Sequence, residues 1–154
     1  MEKPVIEVDV KNVQPTSAGS AVFLGNSEKV FVIYVDHAVG SAINGFLLKT
    51  PKPRPQTHDL FGDVMTGLGA RVSRIVISDF ADTVYYARMV IEAENEVLET
   101  KKIIEIDSRP SDSIALAVQQ NAPIFVAEHV WEGVEDMSMV LKKMEENDDS
   151  SDLE

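Results

Sequence analysis

The chain has no cysteine among its 154 residues, which excludes disulfides and thiolate-held metals and suits a reducing cytoplasm. It has no apolar run approaching the ~18 residues needed to cross a bilayer. Its mean hydropathy of −0.06 gives no membrane signal either. The opening Met1-Glu2-Lys3-Pro4 lacks the basic stretch and apolar run of a secretory signal. Together these absences predict a cytoplasmic chain that makes no membrane contact. No P-loop, GxGxxG or HExxH occurs, which removes nucleotide-fold and zincin chemistries. Nor does any serine have histidine and carboxylate partners at the spacing of a Ser-His-Asp hydrolase, so Ser108 and Ser111 read as helix caps.

Basic charge is also scarce. Fourteen Lys and Arg face 26 Asp and Glu, for a net charge of −12. The last ten residues, Glu145 to Glu154, hold six acidic side chains and no basic one, which leaves −6 on residues 1–144. Binders of nucleic acid usually present a basic face, because neutralised phosphates release counterions and drive affinity. No basic run of that kind exists here. Polyanion binding would need a local cluster of cations, or a divalent metal held by carboxylates.

The patterning predicts one folded domain over residues 1–144 and a disordered acidic tail over 145–154. Val5 to Lys11 alternates as a half-buried strand, and Ala21–Leu24 and Val30–Val35 read as two more. Asp36 can cap a helix that uses Ala38, Val39, Ala42, Ile43, Phe46 and Leu47. Pro51, Pro53 and Pro55 then enforce an extended loop. Thr57 reads as the N-cap of a second helix, with Leu60, Phe61, Val64, Met65 and Leu68 inward and Gly69 as its stop. Arg71–Ser78, Val84–Ala93, Val97–Ile106 and Pro123–Ala127 read as strands, with Glu94-Asn95-Glu96 as a hairpin turn. A helix starts at Pro110 and fades near Asn121, and Val134–Met144 reads as a last helix. Strands outnumber helices and form hairpins, so the fold class is α+β with a mixed, mostly antiparallel sheet. Long strands with open edges predict a homo-dimer or larger homo-oligomer.

Two stretches concentrate the chemistry. Ile106-Asp107-Ser108-Arg109-Pro110-Ser111-Asp112-Ser113 places two carboxylates and a guanidinium at a strand-to-helix junction, where Pro110 suits the first helical position. Pro53-Arg54-Pro55-Gln56-Thr57-His58-Asp59-Leu60 repeats the recipe, with Arg54 in a stiff loop and His58 and Asp59 in a first helical turn. Helix starts carry unpaired N–H groups and a partial positive charge, so both are natural anion sites. The dipole there disfavours the charged imidazole, leaving His58 available as a base or ligand. The plainer alternative is that Asp112 caps its own helix and Arg109 pairs with a neighbour. His37 and His129 read as ordinary residues. Tyr85 and Tyr86 point to opposite faces of a strand, so at most one can stack on a base. Trp131 is expected to anchor the C-terminal segment.

The pair PRPQTHDL and IDSRPSDSIALA, followed by Pro123-Ile124-Phe125-Val126, resembles the bifunctional nuclease domain family, from roughly Val5 to Val130. That family was long carried as a domain of unknown function, and some members are described as degrading both DNA and RNA. Ser113 stands where alanine is more usual, and Tyr85-Tyr86-Ala87 where a phenylalanine would come first. The resemblance implies a phosphodiesterase with nucleic acid as substrate. Residue chemistry then assigns Asp59, Asp107 and Asp112 to a divalent metal, Mg²⁺ or Mn²⁺ in the absence of thiolates. It assigns His58 as base or acid and Arg54 and Arg109 to the phosphate. The rival expectation is a noncatalytic module whose helix starts hold an anion or a protein partner. A small-molecule hydrolase is the third.

Overall fold

In the computed structural model, which describes residues 3–151, the N-terminal alternation becomes strand β1 (Val5–Thr16), with Val8 buried and Glu7, Asp9 and Lys11 outward. The next apolar runs form β2 (Gly19–Gly25) and β3 (Val30–Val35). β2 is buried along its length because both faces are covered. Val22 and Leu24 enter the main core, while Ala21 and Phe23 pack with Leu141 of the last helix. Two helices follow, α1 (His37–Leu48) and α2 (Thr57–Gly67), and then β4 (Ala70–Ala81), β5 (Val84–Asn95) and β6 (Thr100–Ser108). Helix α3 (Pro110–Gln120), strand β7 (Ile124–Ala127) and helices α4 (Glu128–Gly133) and α5 (Ser138–Ser151) complete the described chain.

The seven strands run β3-β2-β1-β7-β4-β5-β6. Every neighbouring pair is antiparallel except β4 and β7, which are parallel. The fold is therefore α+β on a mixed, mostly antiparallel sheet. A parallel pair needs a crossover, and α3 supplies it on the way into β7. That role presses Ile114, Ala115, Leu116 and Ala117 into the core. Burying a side chain of the size of Ile114 contributes about 1.5–3 kcal/mol. The start of α3 is thereby fixed where β6 ends, and Ser108 of β6 hydrogen-bonds the buried Ser113 of α3. The hydroxyl that distinguishes Ser113 from alanine thus has a partner.

Several expectations change. Of the apolar stripe on α2, only Met65 is buried; Leu60, Phe61, Val64 and Leu68 are all exposed. The helix meets α3 along a narrow seam of Gly62 and Met65, which leaves its other apolar residues outside. The N-cap of α2 is Gln56, not Thr57, because the Asp59 carboxylate accepts the Gln56 N–H at 2.9 Å and starts the helix one residue earlier. Val97 and Leu98 belong to the β5–β6 turn, where both their N–H groups donate to Asn95 Oδ1 at 3.1 Å. The helix expected over Val134–Met144 starts at Ser138 instead. Asp136 stops it from starting sooner by accepting the N–H groups of Val30 (3.2 Å) and Ser138 (3.0 Å). That helix then continues to Ser151, with Glu145 to Ser151 wholly exposed. Helix propagates cheaply once Leu141 has anchored it. The remaining tail residues lie outside the described range.

Candidate active site

Three helices begin around one cleft. Asp36 is the N-cap of α1, His58 lies in the first turn of α2, and Arg109 is the N-cap of α3, with Pro110 at its first position. A cleft of about 900 Å³ is lined by Asp36 and His37, by Gln56 through Leu60, and by Arg109 and Asp112. Sequence patterning finds two polar helix starts; the fold adds a third. A helix N-terminus carries unpaired N–H groups and a positive dipole end, and three of them border this space together with Asp36, Asp59, Asp112, Lys52 and Arg109.

The side chains form a connected row. His58 Nε2 lies 3.0 Å from Asp112 Oδ1, and Arg109 Nε donates to Asp112 Oδ2 at 2.9 Å. The other end of Arg109 reaches Asp36 Oδ2 at 3.5 Å. Asp112 therefore does not cap its own helix; it ties the start of α2 to the start of α3. Its burial raises its pKa, but the hydrogen bonds from Arg109 and His58, with their charges, outweigh that and hold the carboxyl below the usual range. The hydrogen bond to Asp112 raises the Arg109 pKa further, so Arg109 stays cationic. An ionised carboxylate only accepts, which assigns the proton of neutral His58 to Nε2 and leaves the lone pair on Nδ1. The Gln119 side-chain amide donates to the His58 carbonyl at 2.7 Å and steadies the residue from behind.

The neighbouring pair is separate. Lys52 Nζ donates to both oxygens of Asp59, at 3.0 and 2.8 Å, and lies 4.3 Å from the Phe46 ring centroid. The Lys52 hydrogen bond holds the Asp59 carboxyl below its usual pKa. Lys52 and Asp59 border both the helix-start cleft and an adjoining one of about 860 Å³. Arg54 lines only the adjoining cleft, beside Lys49 and Lys52.

The structure places the other sequence candidates apart from this row. Asp107 is exposed on β6, in register with Arg88, and does not line the cleft. Strand alternation explains this: Ser108 faces α3, so Asp107 faces the other side. Arg54 sits next door to His58, not with it. The three carboxylates Asp59, Asp107 and Asp112 do not form a metal set. Asp59 is engaged by Lys52, Asp112 by His58 and Arg109, and Asp107 lies elsewhere. Among the described residues no group of three or more His, Asp or Glu side chains is arranged to hold a metal. His58, Asp112 and Arg109 are brought together as the motifs suggested. Sequence reasoning missed Lys52 and Gln119 and saw Asp36 only as a cap. Lys52 was legible as a cation seven residues before Asp59 in the same stiff loop, whereas Gln119 carried no local signal.

His129 lies outside this cleft, 3.4 Å from Asp79 in an exposed pair. Tyr85 packs against Phe31 and Phe80, with ring centroids at 6.2 and 4.3 Å, and Tyr86 is partly exposed. Trp131 is buried edge-on to Phe31 and anchors the C-terminal segment as expected.

Comparison with known proteins follows the same lines. A family model described as bifunctional nuclease domain matches residues 22–138. Two Mycobacterium tuberculosis proteins, the uncharacterized proteins MT1877 (strain CDC 1551 / Oshkosh) and Rv1829 (strain ATCC 25618 / H37Rv), are each 30% identical over 105 residues. The match covers 68% of this chain and 58% of theirs, so the chain spans somewhat over half the length of these relatives.

Proposed function

Because this chain belongs to the bifunctional nuclease domain family, we propose that it is a phosphodiesterase that cleaves DNA and RNA in the cleft where α1, α2 and α3 begin. The observation that carries the reading is the row His58–Asp112–Arg109 set among three helix N-termini. His58 Nδ1 takes a proton from water as the water oxygen bonds to phosphorus. Asp112 stabilises the imidazolium that forms, and the ring returns its proton to the leaving oxygen as the P–O bond breaks. The outer N–H groups of Arg109 and the helix-start N–H groups meet the charge that develops on the phosphoryl oxygens. Water, not a sugar hydroxyl, is the nucleophile, which suits a site that accepts both DNA and RNA. The contact of Arg109 with the exposed Asp36 is long, so a phosphate can replace it.

The residues present do not fit a three-carboxylate metal centre, and no step here passes through one. A Mg²⁺ or Mn²⁺ ion belongs to this reading as an ion carried with the substrate phosphates; the carboxylates that border the cleft are Asp36, Asp59 and Asp112, of which Asp59 is engaged by Lys52 and Asp112 by His58 and Arg109. The test is cleavage of end-labelled single-stranded DNA and RNA by wild type and His58→Ala, purified identically and assayed with Mg²⁺, with Mn²⁺ and with chelator. Wild type should cut both polymers, and His58→Ala should lose about 10²–10⁴-fold, the usual share of general acid–base catalysis. Equal cutting by the variant removes the assignment from this site. Binding without cutting by either protein makes it the noncatalytic module.

Assembly belongs to the same reading, as a second copy paired along β6. The sheet has two edges, β3 and β6. The β3 edge is covered at Val30, which donates to Asp136 and accepts from the Met137 N–H at 2.6 Å. Along β6, Lys101 and Lys102 precede Glu105 and Asp107, with Ile103 exposed between them. Antiparallel pairing of two such strands sets each basic half against the other's acidic half, whereas parallel pairing would set like against like.

A further inference from the structure

The adjoining cleft of about 860 Å³ is lined by three of the chain's 14 Lys and Arg residues, Lys49, Lys52 and Arg54, and by two carboxylates, Asp59 and Asp63. Lys52 and Asp59 engage each other at 2.8 Å. Lys49 and Arg54 are exposed, and among the described residues neither forms an ion pair. Lys49 has a use inside the fold, because it caps the C-terminal end of α1, where a cation meets the negative end of the helix dipole. Arg54 has no such use. The C-terminal end of α3 also reaches this cleft at Asn121, whose N–H turns back to the Ala117 and Val118 carbonyls and answers part of their charge.

The backbone holds Arg54 in place. It stands between Pro53 and Pro55, with Pro51 before them, and each proline fixes its own φ and restricts the residue before it. A guanidinium on such a backbone has little chain freedom to lose when it binds. The two clefts adjoin along Lys52, Pro55 and Asp59, so a ligand that fills the helix-start cleft can continue into this one. Gln119, whose amide holds the His58 carbonyl, lines the basic cleft as well.

We propose that Arg54 binds a phosphate flanking the scissile one, with Lys49 adding charge beside it, so that the substrate is a polynucleotide strand running through both clefts. The inference rests on the phosphodiesterase reading and extends its substrate from one phosphodiester to a strand. A guanidinium meets a phosphate with two parallel N–H bonds, which an exposed arginine without a partner is free to offer. Contacts to backbone phosphates carry no sequence information and need no 2′-hydroxyl, which fits a site expected to accept both DNA and RNA.

The experiment compares wild type, Arg54→Gln and Arg54→Lys on a fluorescein-labelled oligothymidylate and on a dinucleotide, with KM measured from about 50 to 200 mM salt. Arg54→Gln should raise KM for the long strand about tenfold, the scale of one charge-assisted hydrogen-bonded contact, and cancel most of that strand's advantage over the dinucleotide. The slope of log KM against log salt should fall by about 0.7, the share of one phosphate contact on a single strand, and Arg54→Lys should restore it. An unchanged KM and slope in Arg54→Gln, or an equal rise for the dinucleotide, overturns the flanking-phosphate site while leaving the nuclease standing. If wild type cuts neither substrate, the nuclease reading falls and fluorescence anisotropy of the labelled strand decides the cleft. Weaker binding by Arg54→Gln, with the same fall in slope, keeps the strand site; equal binding overturns it too. Matched melting temperatures keep folding out of the comparison.

Discussion

At the scale of single residues, the site depends on two carboxyls held ionised by their neighbours. Asp112 and Asp59 both have pKa values below the ordinary 3.8. An unfolded chain takes up protons at the ordinary value while the folded one resists, so the folded form binds fewer protons in between. The stability these groups supply is therefore complete above about pH 4 and lost as pH falls through their lowered native values. A melting series from pH 7 to pH 2 should be flat in this respect down to that point and then fall. Asp112→Asn should make the fall shallower. A fall of the same depth in that variant would mean Asp112 is not held ionised by His58 and Arg109. His58, Asp59, Arg109 and Asp112 were all legible as chemistry at helix starts. Asp107 was not separable from them, because its neighbour Ser108, not Asp107, takes the side of β6 that faces α3, and only the strand's facing decides that.

At the scale of elements, the site depends on α2 and α3 meeting closely, and Gly62 permits it. A Cβ at Gly62 would stand 2.3 Å from Gln119 Oε1 and 2.6 Å from Nε2, so Gly62→Ala must displace the Gln119 amide. The variant loses the bond to the His58 carbonyl, about 1 kcal/mol, and gains about as much helix propensity. Its melting temperature should therefore stay near wild type while cleavage falls several-fold. Undiminished cleavage would mean that Gln119 does not position His58. Periodicity located most elements, since alternation and helical spacing report burial directly. It failed on α2, where Leu60, Phe61, Val64 and Leu68 keep helical spacing on an exposed face. It failed again before α5, where one carboxylate, Asp136, stops the helix from beginning earlier.

At the scale of the whole molecule, an acidic chain brings the starts of three helices, with their positive dipole ends, to the rim of one cleft. No composition reports that, because backbone dipoles carry no formal charge. The proposed second copy pairs along the open β6 edge. Sedimentation should find wild type as a dimer, and Glu105→Lys with Asp107→Lys, which makes the strand basic throughout, should sediment as a monomer. A clean monomer of wild type at high concentration would retire the pairing.

In the proposed reaction Asp112 keeps His58 in the form that takes a proton from water. Asp112→Asn tests it most directly, because the amide keeps the shape but can donate to Nε2 and so move the ring proton to Nδ1. Cleavage of single-stranded DNA and RNA should fall by about 10²–10⁴-fold while the protein stays folded. Cleavage at the wild-type rate by a folded Asp112→Asn protein would contradict it.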